Sequence, residues 1–146
     1  MNRKSLLYLA VAGLAGVIVA IAPLAGRADE SAAAAVAPEA KVTPLFSKDL
    51  KEFPGKEGLM ITVEYPPGSV DPVHRHNAHA FLYVLEGSIV MQLKGGKEVT
   101  LKPGDTFYEG PDDVHTVGRN ASKTEPAKFV VFFVKDKGAP VLVPEK

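Results

Sequence analysis

The feature that most constrains this chain is a series of short period-two segments, each closed by glycine or proline. Leu59, Ile61, Val63 and Tyr65 alternate with Met60, Thr62 and Glu64, and Pro66-Pro67-Gly68 ends the run. Side chains two apart on a strand share a face, so this pattern predicts a strand with one side buried. Phe81–Leu85 is a second apolar run, turned by Glu86-Gly87. Ser88–Leu93 faces Glu98–Leu101 across Lys94-Gly95-Gly96-Lys97, where paired glycines suit a tight hairpin. Lys102-Pro103-Gly104-Asp105 makes another turn before Thr106–Glu109, Val114–Arg119, Phe129–Val134 and Val141–Val143. No segment has helical periodicity. Many short strands at regular spacing predict an all-β barrel or double-sheet jelly roll. Phe129, Val131 and Phe133 fall on one face of the late strand. Val130 and Phe132 cover its other face, as an inner strand or a homodimer contact would require.

The chain has 146 residues, the size of one domain. It has no cysteine, so disulfides, thiolate metal sites and a lipidated N-terminal cysteine are excluded. Arg3 and Lys4 precede a nearly continuous apolar stretch, Leu6–Ala25, and then Gly26-Arg27-Ala28. Basic, apolar and small-residue regions in that order predict a secretory signal over residues 1–28, cut before Asp29. An uncleaved membrane anchor is the rival, since about 20 apolar residues span a bilayer core. Pro23 and the many glycines and alanines weaken it. The basic region lacks twin arginines, which predicts export unfolded, to the periplasm, with any metal acquired there. Without residues 1–28 the chain holds 14 basic and 17 acidic side chains, a net −3. That balance gives no footprint for nucleic acid. Residues 29–43, with Ala32–Ala37, lack periodicity and read as a flexible linker ahead of a barrel over 44–146.

Four histidines carry the chemistry: His74, His76, His79 and His115, three of them within six residues. His74 and His76 are two apart, so a strand points both imidazoles at one ion, at about 2.0–2.1 Å for zinc.

These residues resemble the cupin family, whose first motif is G-x5-H-x-H-x3,4-E-x6-G. The chain presents Gly68, His74, His76 and Gly87 at those spacings, with Ala80 where the glutamate belongs. The second motif, G-x5-P-x-G-x2-H-x3-N, is kept at Gly104 and His115. Gly110 and Asp112 replace its proline and second glycine, and Asn120 falls one residue late. The resemblance covers about Leu59 to Val134 and implies a single-domain jelly-roll barrel. It also implies one divalent transition metal (iron, zinc, manganese, nickel or copper) on His74, His76 and His115. Three neutral imidazoles leave such an ion at +2, which favours an anionic, chelating small-molecule ligand. His79, beside Ala80, is a candidate fourth ligand, although a regular strand turns it to the opposite face. Glu109 is a candidate for a nearby carboxylate. Tyr65, Tyr83, Gln92, Phe107 and Tyr108 are candidates for the cavity lining or for packing. Arg75 is expected to point away, toward Asp71, Asp113 or solvent, and Glu86 to be solvated. Asn120-Ala121-Ser122 matches a glycosylation acceptor and equally an ordinary turn.

Fold alone does not select an activity. A metal-dependent oxygenase fits the three histidines without a carboxylate. A non-catalytic binding or sensing protein fits the lack of an obvious acid or base beyond the ligands. An isomerase or lyase using Glu109 is the third reading. No catalytic residue and no organic-cofactor site is assigned.

Overall fold

The computed structural model describes residues 37–145. The expected signal over 1–28, its cleavage point and the linker as far as Val36 lie outside the described residues.

There is no helix among the described residues; ten strands form two five-stranded antiparallel sheets. The first sheet contains β1 (Lys41–Asp49), β2 (Lys56–Tyr65), β9 (Ala127–Asp136), β4 (Ala78–Glu86) and β7 (Thr106–Glu109), in that spatial order. The second contains β10 (Val143–Pro144), β3 (His74–Arg75), β8 (His115–Asn120), β5 (Ile89–Leu93) and β6 (Val99–Leu101). This is the jelly-roll class that the short alternating segments predict.

Alternation sets the core. Ile61, Val63 and Tyr65 of β2, Ala78, Ala80, Leu82 and Val84 of β4, and Phe129, Val131 and Phe133 of β9 all point inward. β9 lies between β2 and β4, so Val130 and Phe132 sit on the outer face of an inner strand. The expected linker boundary at Thr43 falls inside β1, whose Lys41 pairs with Glu64 and Thr43 with Thr62. All of β1 except Thr43 is exposed. It is held by backbone pairing rather than by a buried face, so no apolar period marks it.

Two features of the resemblance have local causes. Gly87 has φ +69°, and a Cβ there would lie 2.4 Å from the Pro126 carbonyl oxygen, so only glycine fits this turn. Asn120 is buried; its amide nitrogen donates to the carbonyls of Tyr65, Pro66 and Glu125, and its oxygen accepts from Ser122 N–H. The acceptor-like tripeptide is therefore a structural turn whose amide is enclosed in protein.

Candidate metal centre

The two sheets bring three histidines together. His74 on β3 and His115 on β8 are directly paired across the second sheet. His76 follows β3 on the way into β4. The His74 ring centroid lies 4.8 Å from that of His76 and 4.9 Å from that of His115. One ring nitrogen from each lies within 4.8 Å of the others.

The partners of these rings fix which nitrogen faces the centre. His74 Nδ1 lies 2.8 Å from the Pro72 carbonyl, and His76 Nδ1 lies 2.6 Å from the Val141 carbonyl. A carbonyl only accepts, so each Nδ1 carries the hydrogen and each Nε2 presents a lone pair. Metal-ligating histidines are characteristically held this way, the second ring nitrogen donating to a carbonyl or carboxylate. His115 is 2% exposed, and both of its ring nitrogens lack a hydrogen-bond partner. A buried polar atom left unpaired costs about 1–3 kcal/mol. One ring nitrogen of His115 lies close to one from each of the other two histidines, and the set suits a divalent transition ion.

Glu109, at the end of β7, is 4% exposed. Its Oε2 lies 3.3 Å from His76 Nε2 and 3.7 Å from His115 Nδ1, with no well-formed hydrogen bond. Burial works against its charge, but the surrounding histidines outweigh burial and hold its pKa below the usual carboxylate value. Burial likewise lowers the His76 pKa, and the Glu109 carboxylate more than compensates, leaving it raised. His74 has a lowered pKa, chiefly from burial.

His79 is not part of this group. It is exposed on the outer face of β4, stacked on Tyr108, with Nδ1 2.7 Å from the Tyr108 hydroxyl. The left-handed Asn77, φ 47°, precedes β4 but leaves its alternation intact, with Ala78 and Ala80 in and His79 out.

A cavity of about 410 Å³ opens beside the histidines, within the range of small-molecule sites. Ile61, Val63, Leu82, Met91, Phe129 and Val131 make its walls apolar. Of the five aromatic and amide candidates only Tyr65 lines it. Tyr83 and Tyr108 are exposed, Phe107 packs against the core, and Gln92 donates to the Gly96 carbonyl. Arg75 points away as expected but pairs with Glu145 and Asn77, not with Asp71 or Asp113. Glu86 is exposed.

One polar pair in the cavity, Tyr65 with Asp71, is not signalled by any motif. The Tyr65 hydroxyl donates to Asp71 Oδ2 inside the cavity. Burial raises the pKa of both, and the neighbouring Asp71 carboxylate raises that of Tyr65 further. A Cβ on Gly118 would stand 3.0 Å from His115 Cε1, 3.1 Å from Asp71 Oδ2 and 3.2 Å from the Tyr65 hydroxyl. Glycine there lets the pair approach the histidines. The signal available was the alternation that turns Tyr65 inward with Ile61 and Val63.

Comparison with known proteins agrees with this architecture. A cupin-domain family model matches residues 61–133, half of the chain, and the chain belongs to the cupin family. A conserved double-stranded β-helix protein of Klebsiella pneumoniae superimposes with a TM-score of 0.58 at 19% identity, covering 73% of this chain and 86% of its own. A DMSP lyase of Ruegeria pomeroyi gives 0.53 at 23% identity, covering 60% of this chain and 42% of its own. An oxalate oxidase bound to the substrate analogue glycolate gives 0.54 at 27% identity, covering 71% and 54%. The chain thus spans about half or less of the two enzymes. No curated protein sequence matches it.

Proposed function

We propose that this cupin holds one divalent transition metal on His74, His76 and His115 and acts as a metal-dependent oxygenase on a small, oxygen-chelating anionic substrate. The observation that carries this reading is the convergence of three imidazoles, one of them (His115) without a hydrogen-bond partner, on one wall of an apolar cavity. A bound ion there supplies Lewis-acid polarisation and coordination positions for substrate and dioxygen. The residues of the chain do the rest. Pro72 and Val141 carbonyls orient two imidazoles. The apolar walls exclude water and enclose the substrate body. Tyr65 and Asp71 offer a polar contact beside the histidines.

In the same reading the protein is exported to the periplasm and takes up its metal there. A homodimer would form through the outer face of the first sheet, where Phe81, Tyr83 and Tyr108 are exposed. The oxalate oxidase bound to glycolate among the structural neighbours supports a small acid as substrate.

The test loads the protein with iron(II) without oxygen and then measures oxygen uptake across a panel of small hydroxy- and keto-acids. Uptake that depends on iron, on one acid and on His115 supports the oxygenase. Non-catalytic binding is the second reading, favoured because the apolar cavity can hold a ligand without reaction. Saturable ligand binding with no oxygen uptake under any metal would establish it instead.

A further inference from the structure

We propose that Glu109 is the fourth metal ligand, supplied from β7 in place of the carboxylate that Ala80 lacks on β4. This rests on the three-histidine reading above and concerns the same ion.

Ala80 and Glu109 are directly opposite each other in the antiparallel β4–β7 pair. Both point into the barrel, at 1% and 4% exposure. Opposed residues have Cβ atoms about 4.5–5.5 Å apart, so a carboxylate from either position reaches the same space. The alanine keeps that space open for the glutamate facing it.

The distances separate a ligand from a remote acid or base. Two ligand atoms about 2.1 Å from one ion stand roughly 3.0–3.4 Å apart in octahedral or tetrahedral arrangements. Glu109 Oε2 is 3.3 Å from His76 Nε2 and 3.7 Å from His115 Nδ1, close to that spacing. In the neutral ring His76 keeps its hydrogen on Nδ1 against the Val141 carbonyl, so its Nε2 lone pair faces the oxygen. Two acceptors then surround one point, and Oε2 has no other partner. A cation between them satisfies both. The carboxylate also lowers the charge of the loaded centre from +2 to +1, which narrows the preferred substrate to a monoanionic chelator.

The experiment titrates the intact protein with Co²⁺ by calorimetry, alongside Glu109→Gln, Glu109→Ala and the double variant Ala80→Glu with Glu109→Ala. Circular dichroism confirms folding, and Glu109→Gln, nearly isosteric, keeps the test valid should the alanine variant unfold. Loss of an outer-shell partner typically weakens metal binding about 10–100-fold. The expected result is one Co²⁺ per wild-type chain, about 100-fold or greater weakening in both single variants, and recovery in the double variant. Wild-type affinity in Glu109→Gln or Glu109→Ala overturns the proposal while leaving the three-histidine site standing. A double variant no better than Glu109→Ala overturns the equivalence of the two positions. A wild-type protein that binds no Co²⁺ overturns the metal reading itself, and this proposal with it.

Discussion

The segments that carry the two cupin motifs have diverged in opposite ways. The first, from Gly68 through β3 and β4, keeps every spacing but has lost its carboxylate at Ala80. The second, through β7 and β8, has lost its proline and second glycine. It keeps His115 and carries a buried Glu109 beside the histidines. The strand register places Ala80 directly opposite Glu109. Under the proposal above, the place that Ala80 leaves open takes its carboxylate from the neighbouring strand.

The largest effects are expected at the histidines that join the two segments. His74→Ala, His76→Ala and His115→Ala should each weaken metal binding at least about 100-fold, beyond typical outer-shell losses. Thermal unfolding of the metal-free variants should remain cooperative, since the core around Val84, Ile89 and Leu101 is apolar and lies outside the cavity lining. Metal content of the purified variants checks this, and normal occupancy in any one removes that residue from the site.

A smaller effect is expected from pH, and its sign differs between metal binding and metal-free stability. Metal must displace a proton from His76, whose pKa is raised by Glu109 against the effect of burial. Affinity should therefore fall as pH drops, starting above the pH of an unperturbed imidazole, by about tenfold per unit per proton displaced. In the metal-free protein the same raised pKa stabilises the fold fully below about 6.5, the unfolded value, and that contribution is lost as pH rises through the folded pKa. Glu109, lowered, contributes stability above the ordinary carboxylate range that is lost as pH falls through its own folded pKa. Calorimetric titrations with Co²⁺ at pH 6 and pH 8, in buffers of different protonation enthalpy, would show both the weakening and the proton release. Equal affinity at the two values would contradict the raised His76 pKa.

Gly118→Ala tests the second segment by pressing on a ligand rather than replacing one. Its methyl group would press on His115, Asp71 and Tyr65 at 3.0–3.2 Å. A stability loss of about 1–3 kcal/mol is expected from such overpacking, measured by denaturant unfolding. Unchanged stability and metal affinity would mean the pair can retreat from the histidines.

The smallest effect is expected at His79. His79→Ala removes an exposed ring stacked on Tyr108, and metal affinity should not change. A marked loss would return His79 to the site.

Much of this was legible in the sequence because it is written at short range. Period two placed Ile61, Val63 and Tyr65 inside, and the interval of two placed His74 and His76 on one side. The exclusion of His79 also follows from alternation within β4. β1 escaped because its pairing with β2 uses the backbone and leaves its side chains outside. The facing of Ala80 and Glu109 depends on a register across 29 positions of chain, which local pattern does not encode. The Tyr65–Asp71 pair needs Gly118, far along the chain, to stand beside His115.

A crystal structure of the metal-loaded protein, with anomalous scattering to locate the ion, decides most directly among these outcomes. One ion per chain is expected, within about 2.0–2.3 Å of His74 Nε2, His76 Nε2, a ring nitrogen of His115 and a carboxylate oxygen of Glu109. An ion bound at His79, or a barrel that holds no ion among these residues at saturating metal, would contradict it.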